Sequence, residues 1–251
     1  MSPRLARLRG ALLDIDGTLL DSNDAHAASW ADVFAEFQYG IGFDHVRPLV
    51  GMGGDKLVPI LTGFDHESPQ GKQLSDRKKA VFEEKYLPHL KPTPGARALL
   101  EHMLDERLVL VIATSAGGDE MEALLDQAGV ADLIHDATSS GDVESSKPDP
   151  DVIGAALKKG RLTADQVVMI GDTPYDIAAA AKVGVPTIAL RCGGWWDDLA
   201  LGGAVALYNH PADLLAQYDE SPLSDVEFGE WTVEGGVYRA RSRVSDARPS
   251  P

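Results

Sequence analysis

The chain has 251 residues, 44% of them hydrophobic, with a formal net charge of −16, enough for one large domain or a core plus a small insert. A field of that sign repels nucleic acid and anionic membrane surfaces, and it would repel a phosphorylated ligand too unless a metal ion or a well-placed lysine met it locally. The single cysteine, Cys192, excludes an internal disulfide framework and fits a reducing compartment. The apolar run after Arg4, Arg7 and Arg9 stops at Asp14, too short for a signal peptide or a membrane span, so a cytoplasmic location is expected.

Ala11-Leu12-Leu13 is a continuous apolar run of the kind found in parallel strands covered on both faces, and it ends in Asp14-Ile15-Asp16-Gly17-Thr18. On extended backbone Asp14 and Asp16 leave the same face, close enough to share one metal ion or one substrate. Two such carboxylates raise one another's proton affinity unless a cation or a shared proton neutralises them. The plainer alternative is an acidic strand-to-turn junction, since Asp-Gly is common turn chemistry.

Asp21-Ser22-Asn23-Asp24 is a cap cluster that starts a helix near Ala25, with Trp30, Val33, Phe34 and Phe37 as its apolar stripe and His26 as a helix-surface residue. Helical spacing continues over residues 40 to 92, and Leu74, Val81, Phe82 and Tyr86 mark a longer amphipathic helix. Within this region Gly51-Met52-Gly53-Gly54-Asp55-Lys56 lacks the spacing of a dinucleotide fingerprint. It is either a plain helix connection or a mobile loop lying close over a substrate, in which Gly53 gives access and Arg47 or Lys56 meets an anionic group.

Lys91-Pro92-Thr93-Pro94-Gly95 is a stiff linker, and beyond it strand and helix alternate. Leu108 to Ala113 ends at Thr114-Ser115; a weak strand is expected near Leu133-Ile134; Lys147-Pro148 precedes a helix through Val152 and Leu157; Val167 to Ile170 ends at Gly171-Asp172; and Pro186 to Leu190 follows. Such alternation means right-handed crossovers and a doubly wound parallel sheet, an α/β fold whose ligands bind beyond the carboxyl ends of the strands. Asp14, Asp16, Thr114, Ser115 and Asp172 all fall at such ends, and Lys147 lies in the loop before the strand that leads to Asp172. Carboxylates, hydroxyls and an ammonium in one crevice make a site for phosphate and a hard cation.

These residues, in this order and strand context, resemble the four motifs of the haloacid dehalogenase superfamily: Asp14-Ile15-Asp16-Gly17-Thr18, then Thr114, then Lys147, then Gly171-Asp172-Thr173-Pro174-Tyr175-Asp176. The resemblance runs from Gly10 to about Tyr218 and implies a Rossmann-like core over residues 1–20 and 93–218, a helical cap over 21–92, and an extension over 219–251. It further implies a phosphoric monoester hydrolase in which Asp14 is the nucleophile and Asp16 the general acid and base. Thr114, Ser115 and Lys147 would hold the phosphoryl oxygens, and Mg²⁺ would be held by Asp14, the Asp16 carbonyl and Asp172, with Asp176 behind them. The second Asp disfavours dehalogenation. The expected substrate is a small phosphorylated metabolite, with a phosphomutase, a phosphoacceptor or a binding-only protein as alternatives, and the expected cap specificity residues are Arg47, Gly53 and Lys56.

At the C-terminus, Trp231 to Arg241 reads as a hairpin turning at Gly235-Gly236, with Arg239, Arg241 and Arg243 on one face. An isolated hairpin is marginal in water, so this one should dock on the acidic core or on a second copy in a homodimer. The residues after Val244 have the composition of a disordered tail.

Overall fold

A computed structural model describes residues 8–224, 231–234 and 237–240. Strand β1 (Gly10–Leu13) is followed by four helices, α1 (Asn23–Glu36), α2 (Phe43–Val46), α3 (Gly54–Thr62) and α4 (Pro69–Val81). Alternation then sets in: α5 (Ala96–Asp105), β2 (Val109–Ala113), α6 (Gly118–Ala128), β3 (Asp136–Thr138), α7 (Asp151–Gly160), β4 (Val167–Gly171), α8 (Pro174–Lys182), β5 (Thr187–Leu190), β6 (Ala206–Tyr208) and α9 (Pro211–Ala216). The first six strands form one sheet in the order β3-β2-β1-β4-β5-β6, every neighbouring pair parallel.

The chain thus runs outward from β1 in one direction and, from β4, in the other. The carboxyl ends of β1 and β4 form the point where strand order reverses, the place where such sheets bind ligands. Leu13 pairs with Ile112 on one side and with Ile170 on the other, so three strands end level there.

Period-two alternation splits the apolar strands between two layers. Leu12, Val111 and Met169 pack with Val152, Ile153 and Ala179 of α7 and α8. Leu13, Ile112 and Ile170 pack on the opposite face with Leu99, Leu124 and Leu214 of α5, α6 and α9. Each of these leucines is essentially fully buried, a contribution of roughly 1.5–3 kcal/mol per side chain.

Helices α1 to α4 enclose a third cluster built on Trp30, Val33, Phe34, Val46, Leu57, Val58 and Leu74. The chain enters and leaves this helical segment through two passages that lie side by side. The Asp21 amide donates to the Lys91 carbonyl at 2.9 Å, and the Thr93 amide donates to the Leu19 carbonyl at 3.0 Å.

Three local expectations are corrected. The strand expected at Leu133-Ile134 lies at Asp136–Thr138, because those two apolar side chains pack down onto the core instead of joining the sheet. The long helix through Tyr86 is α-helical only to Val81; Phe82–Tyr86 widens into a π turn and Leu87–His89 tightens into a 3₁₀ turn, where Pro88 cannot continue a regular helix. Strand β6 was not foreseen: three residues at a sheet edge carry too little pattern to read.

At the C-terminus β7 (Trp231–Glu234) and β8 (Val237–Ala240) pair antiparallel with Glu234 opposite Val237, as a hairpin should. The Gly235-Gly236 turn, Arg241, Arg243 and the tail after Val244 lie outside the described residues. Among the described residues no helix is long and apolar enough to cross a membrane.

Candidate active site

The backbone amide of Asp14 donates to the Ile170 carbonyl at 3.0 Å, which carries the sheet ladder one residue past β1 and points the Asp14 carboxyl into the switch-point crevice. There the Lys147 ammonium donates to Asp14 Oδ1 and to Asp176 Oδ1, at 2.6 Å each. Asp176 is fixed by the start of α8: its Oδ2 accepts from the Thr173 amide at 3.1 Å and the Thr173 hydroxyl at 2.7 Å, a capping box with Pro174 as the first helical residue.

Asp172, one residue past β4, accepts a hydrogen bond from the Asn23 amide nitrogen at 2.7 Å. Carboxylate oxygens of Asp14, Asp172 and Asp176 lie within 4.8 Å of one another, all buried. Close approach makes Gly17 obligatory: its φ is +73°, and a Cβ there would run into the Asn23 amide and the Asp172 carboxylate.

Three buried carboxylates face a single ammonium, so negative charge is in excess. Burial, and then the neighbouring Asp176 and Asp16 charges, push the Asp14 carboxyl up to about 8 despite Lys147. Burial and the charges of Asp14 and Asp176 likewise raise Asp172 far above the usual carboxylate range. Burial opposes the charge on Lys147, but Asp14 and Asp176 outweigh it and keep the lysine protonated. An all-oxygen donor set with surplus negative charge fits a hard divalent cation.

Asp16 faces elsewhere. Its Oδ1 accepts from the Ser22 hydroxyl at 2.5 Å and lies 2.8 Å from His26 Nε2. His26 Nδ1 lies 3.0 Å from Lys78 Nζ, and Lys78 donates to Glu120 Oε1 at 2.7 Å. Phe82 stacks on the imidazole, with ring centroids 4.1 Å apart and planes inclined by 9°. Burial would raise the Asp16 carboxyl, but His26, Ser22 and Lys78 hold it down at about 2. Two carboxyls spaced two residues apart are therefore pushed in opposite directions: without a metal ion Asp14 keeps its proton up to about pH 8, whereas Asp16 stands ionised.

The Asp16 carboxylate turns to His26 and lies outside the Asp14–Asp172–Asp176 carboxylate cluster, although it lines the same cavity as Asp14. His26 is itself no surface residue, being 8% exposed. His26, Lys78 and Glu120 were not foreseen as site residues. The one available signal was the spacing Leu74, Lys78, Phe82, which places the lysine on the buried face of α4.

Asp14, Asp16, Thr114, Ser115 and Gly53 line one cavity of about 270 Å³ between the helical segment and the strand ends. The buried Thr114 hydroxyl accepts from the Ala116 amide at 3.1 Å, which shapes the loop after β2. The Ser115 hydroxyl reaches the Gly51 carbonyl at 3.3 Å, and the Gly53 amide donates to the Ser146 hydroxyl at 3.0 Å.

Neither Arg47 nor Lys56 lines this cavity. The Arg47 guanidinium is buried, donates from Nε to Asp24 at 2.6 Å and from Nη2 to the Gly193 carbonyl, and lies 5.5 Å over the Trp195 ring. Lys56 pairs with Asp149 at 2.8 Å and donates to the Ser145 hydroxyl at 3.1 Å. Acidic, hydroxyl and carbonyl groups of the chain itself engage both cations, and of their nitrogens only Arg47 Nη1 is buried without a hydrogen-bond partner among the described residues.

The sequence was compared with known proteins and protein families. A family model described as haloacid dehalogenase-like hydrolase matches residues 11–190. A phosphoglycolate phosphatase of Rhodospirillum rubrum is 28% identical over 214 residues, 82% of this chain and 89% of that protein. An N-acetylmuramic acid 6-phosphate phosphatase of Pseudomonas aeruginosa is 27% identical over 218 residues, 86% of this chain and 96% of the relative. Among solved structures, a hydrolase from Pseudomonas syringae superposes with a TM-score of 0.78 at 30% identity, over 84% of this chain and 98% of that one. The match spans β1 through β5 and every strand end that contributes to the crevice: the chain belongs to the haloacid dehalogenase-like hydrolase family.

Proposed function

We propose that this protein is a Mg²⁺-dependent phosphatase that hydrolyses a small phosphomonoester through a phosphoryl group carried on Asp14. The observation that carries the reading is the Lys147 ammonium shared between Asp14 and Asp176 beside Asp172, a buried site with more carboxylate than cation. Phosphatases among the relatives support the substrate class.

In the first half-reaction a carboxylate oxygen of Asp14 attacks phosphorus, the bond from phosphorus to the leaving oxygen breaks, and Asp16 gives that oxygen its proton. In the second, water attacks phosphorus, its proton passes to Asp16, and the bond to Asp14 breaks to release phosphate and free carboxylate. Such splitting replaces one hard step by two easier ones, and the acid–base role is worth about 10²–10⁴-fold. Asp16 stands ionised in the free protein; a phosphate dianion beside it raises its proton affinity, so that it takes up a proton from the substrate monoanion or from solvent before it acts as an acid.

Thr114, Ser115 and Lys147 are assigned to the phosphoryl oxygens, where transition-state charge gathers. Mg²⁺ held by Asp14, Asp172 and, on the family resemblance, the Asp16 carbonyl would offset repulsion between the anionic nucleophile and the anionic ester. Asp176, with both oxygens already engaged, orients Lys147. The helical segment is assigned as a cap over residues 21–92 that hinges at the paired passages Leu19 to Asp21 and Lys91 to Thr93. Its separate apolar cluster and the Lys56–Asp149 and Lys79–Asp119 bridges support this reading. The homodimer expected through the C-terminal extension has no support in these observations and forms no part of the proposal.

Phosphate release from a panel of phosphomonoesters, with Mg²⁺ and with chelator, tests the proposal. Metal-dependent turnover is expected. Transfer of phosphate between positions of one sugar without release would favour a mutase.

A further inference from the structure

The part of the cavity that would receive the leaving group is lined by α1, α3 and α4, and its charges are already committed. Lys78 is held by Glu120 at 2.7 Å, and Lys79 by Asp119 at 3.1 Å with Glu83 at 3.9 Å. His66, the other basic group on this wall besides His26, lies 3.2 Å from Glu67. Arg47 and Lys56, the nearby cations of the helical segment, are turned away to Asp24 and Asp149. By contrast Asp76, which also lines the cavity, has no ion-pair partner among the described residues. The Ser75 hydroxyl is buried at the cavity wall with no hydrogen-bond partner among them. Trp30, Met52 and Leu57 supply apolar surface.

We infer that the leaving group is an uncharged or cationic polyhydroxylated alcohol, as in the monophosphate of a neutral sugar or an amino sugar, and that a second acidic group on the substrate is selected against. This rests on the phosphomonoesterase reading above. A carboxylate or a second phosphate entering this space would meet the exposed Asp76 carboxylate and the paired Glu120, while the lysines of this wall already have carboxylate partners. A hydroxyl, which both donates and accepts, suits Ser75, and the carbon skeleton of a sugar suits the apolar wall. An ammonium group could pair with Asp76, which has no ion pair within 4 Å among the described residues and feels Lys72 only at longer range.

The test is a charge series on a fixed skeleton. One series is hydroxyethyl phosphate, aminoethyl phosphate and phosphoglycolate; the other is glucose 6-phosphate, glucosamine 6-phosphate and 6-phosphogluconate. The readout is kcat/KM for the wild-type protein with Mg²⁺, with p-nitrophenyl phosphate as the reference ester. The neutral and cationic members are expected to exceed the acidic member by at least about tenfold in each series. Asp76→Asn is expected to reduce the preference for the amino over the neutral member while leaving p-nitrophenyl phosphate turnover measurable. Equal or faster hydrolysis of either acid, with p-nitrophenyl phosphate turned over normally, overturns the inference while the phosphatase reading stands. No hydrolysis of any ester, the reference included, removes both.

Discussion

Replacing Lys147 by Met keeps most of the length and apolar bulk of the side chain and removes its ammonium group, charge and hydrogen bonds together. Lys147 is 1% exposed and makes two charge-assisted hydrogen bonds of 2.6 Å, so the variant leaves Asp14 and Asp176 buried without their common cation. Breaking a buried ion pair from one side costs about 3–5 kcal/mol, which for a chain of this size lowers the melting temperature by roughly 6–20 °C. The loss should also depend on pH. A carboxyl whose folded-state pKa lies above its unfolded value takes stability away as pH rises from the unfolded to the folded pKa. In the metal-free wild type this loss ends near pH 8, the value to which Asp14 is pushed. In the variant the Asp14 carboxyl is pushed higher still, so its loss continues, adding about 1.4 kcal/mol for each further pH unit. Urea unfolding in the presence of chelator, at about pH 7 and about pH 9, measures both effects. A loss below about 1 kcal/mol, or one that does not grow above pH 8, would show that Lys147 does not carry the charge of this cluster.

Three further outcomes follow from the same geometry. His26→Phe preserves the stacking on Phe82 but removes the partner of Asp16, so its carboxyl should rise from about 2 toward the usual carboxylate range. Stability from a depressed carboxyl is present above its unfolded pKa and lost as pH falls through its folded value, so acid unfolding of the variant should begin at higher pH; carbon NMR of the carboxyls and circular dichroism read the two effects. Mg²⁺ must displace the proton that burial places on Asp14 below about pH 8, so thermal stabilisation by Mg²⁺ should weaken as pH is lowered from 8 to 6; stabilisation independent of pH would place the ion elsewhere. Gly17→Ala forces a side chain at φ +73° into Asn23 and Asp172, so it should cost at least about 1 kcal/mol and weaken Mg²⁺ binding, both measurable by calorimetry.

The sheet and the crevice were legible because continuous apolar runs such as Ala11 to Leu13 and Val167 to Ile170 can be buried only as central strands. The polar residue that ends each run then lands at the carboxyl edge. Asp14, Thr114 and Asp172 were read in this way, and Lys147 by its place in the loop before β4. The chain from Asp16 through His26 and Lys78 to Glu120 was not legible. Its links join residues 10, 52 and 42 positions apart on α1, α4 and α6, and only helix packing brings them together. Arg47 and Lys56 were misdirected for a related reason: a long cationic side chain goes where carboxylates can reach it, and sequence does not show that Asp24 and Asp149 are those partners. The edge strand β6 escaped and β3 was placed too early in the chain, because three residues carry no usable period.

In the proposed reaction the phosphoryl group passes through Asp14. Acid-quenching the protein during turnover with Mg²⁺ and a good phosphomonoester, then mapping the peptide that spans β1 by mass spectrometry, tests it most directly. The wild type is expected to gain the mass of one phosphoryl group on Asp14, and Asp14→Asn to show neither that mass nor phosphate release. Phosphate release that survives in Asp14→Asn, or a phosphoryl group found on any other residue during turnover, would contradict it.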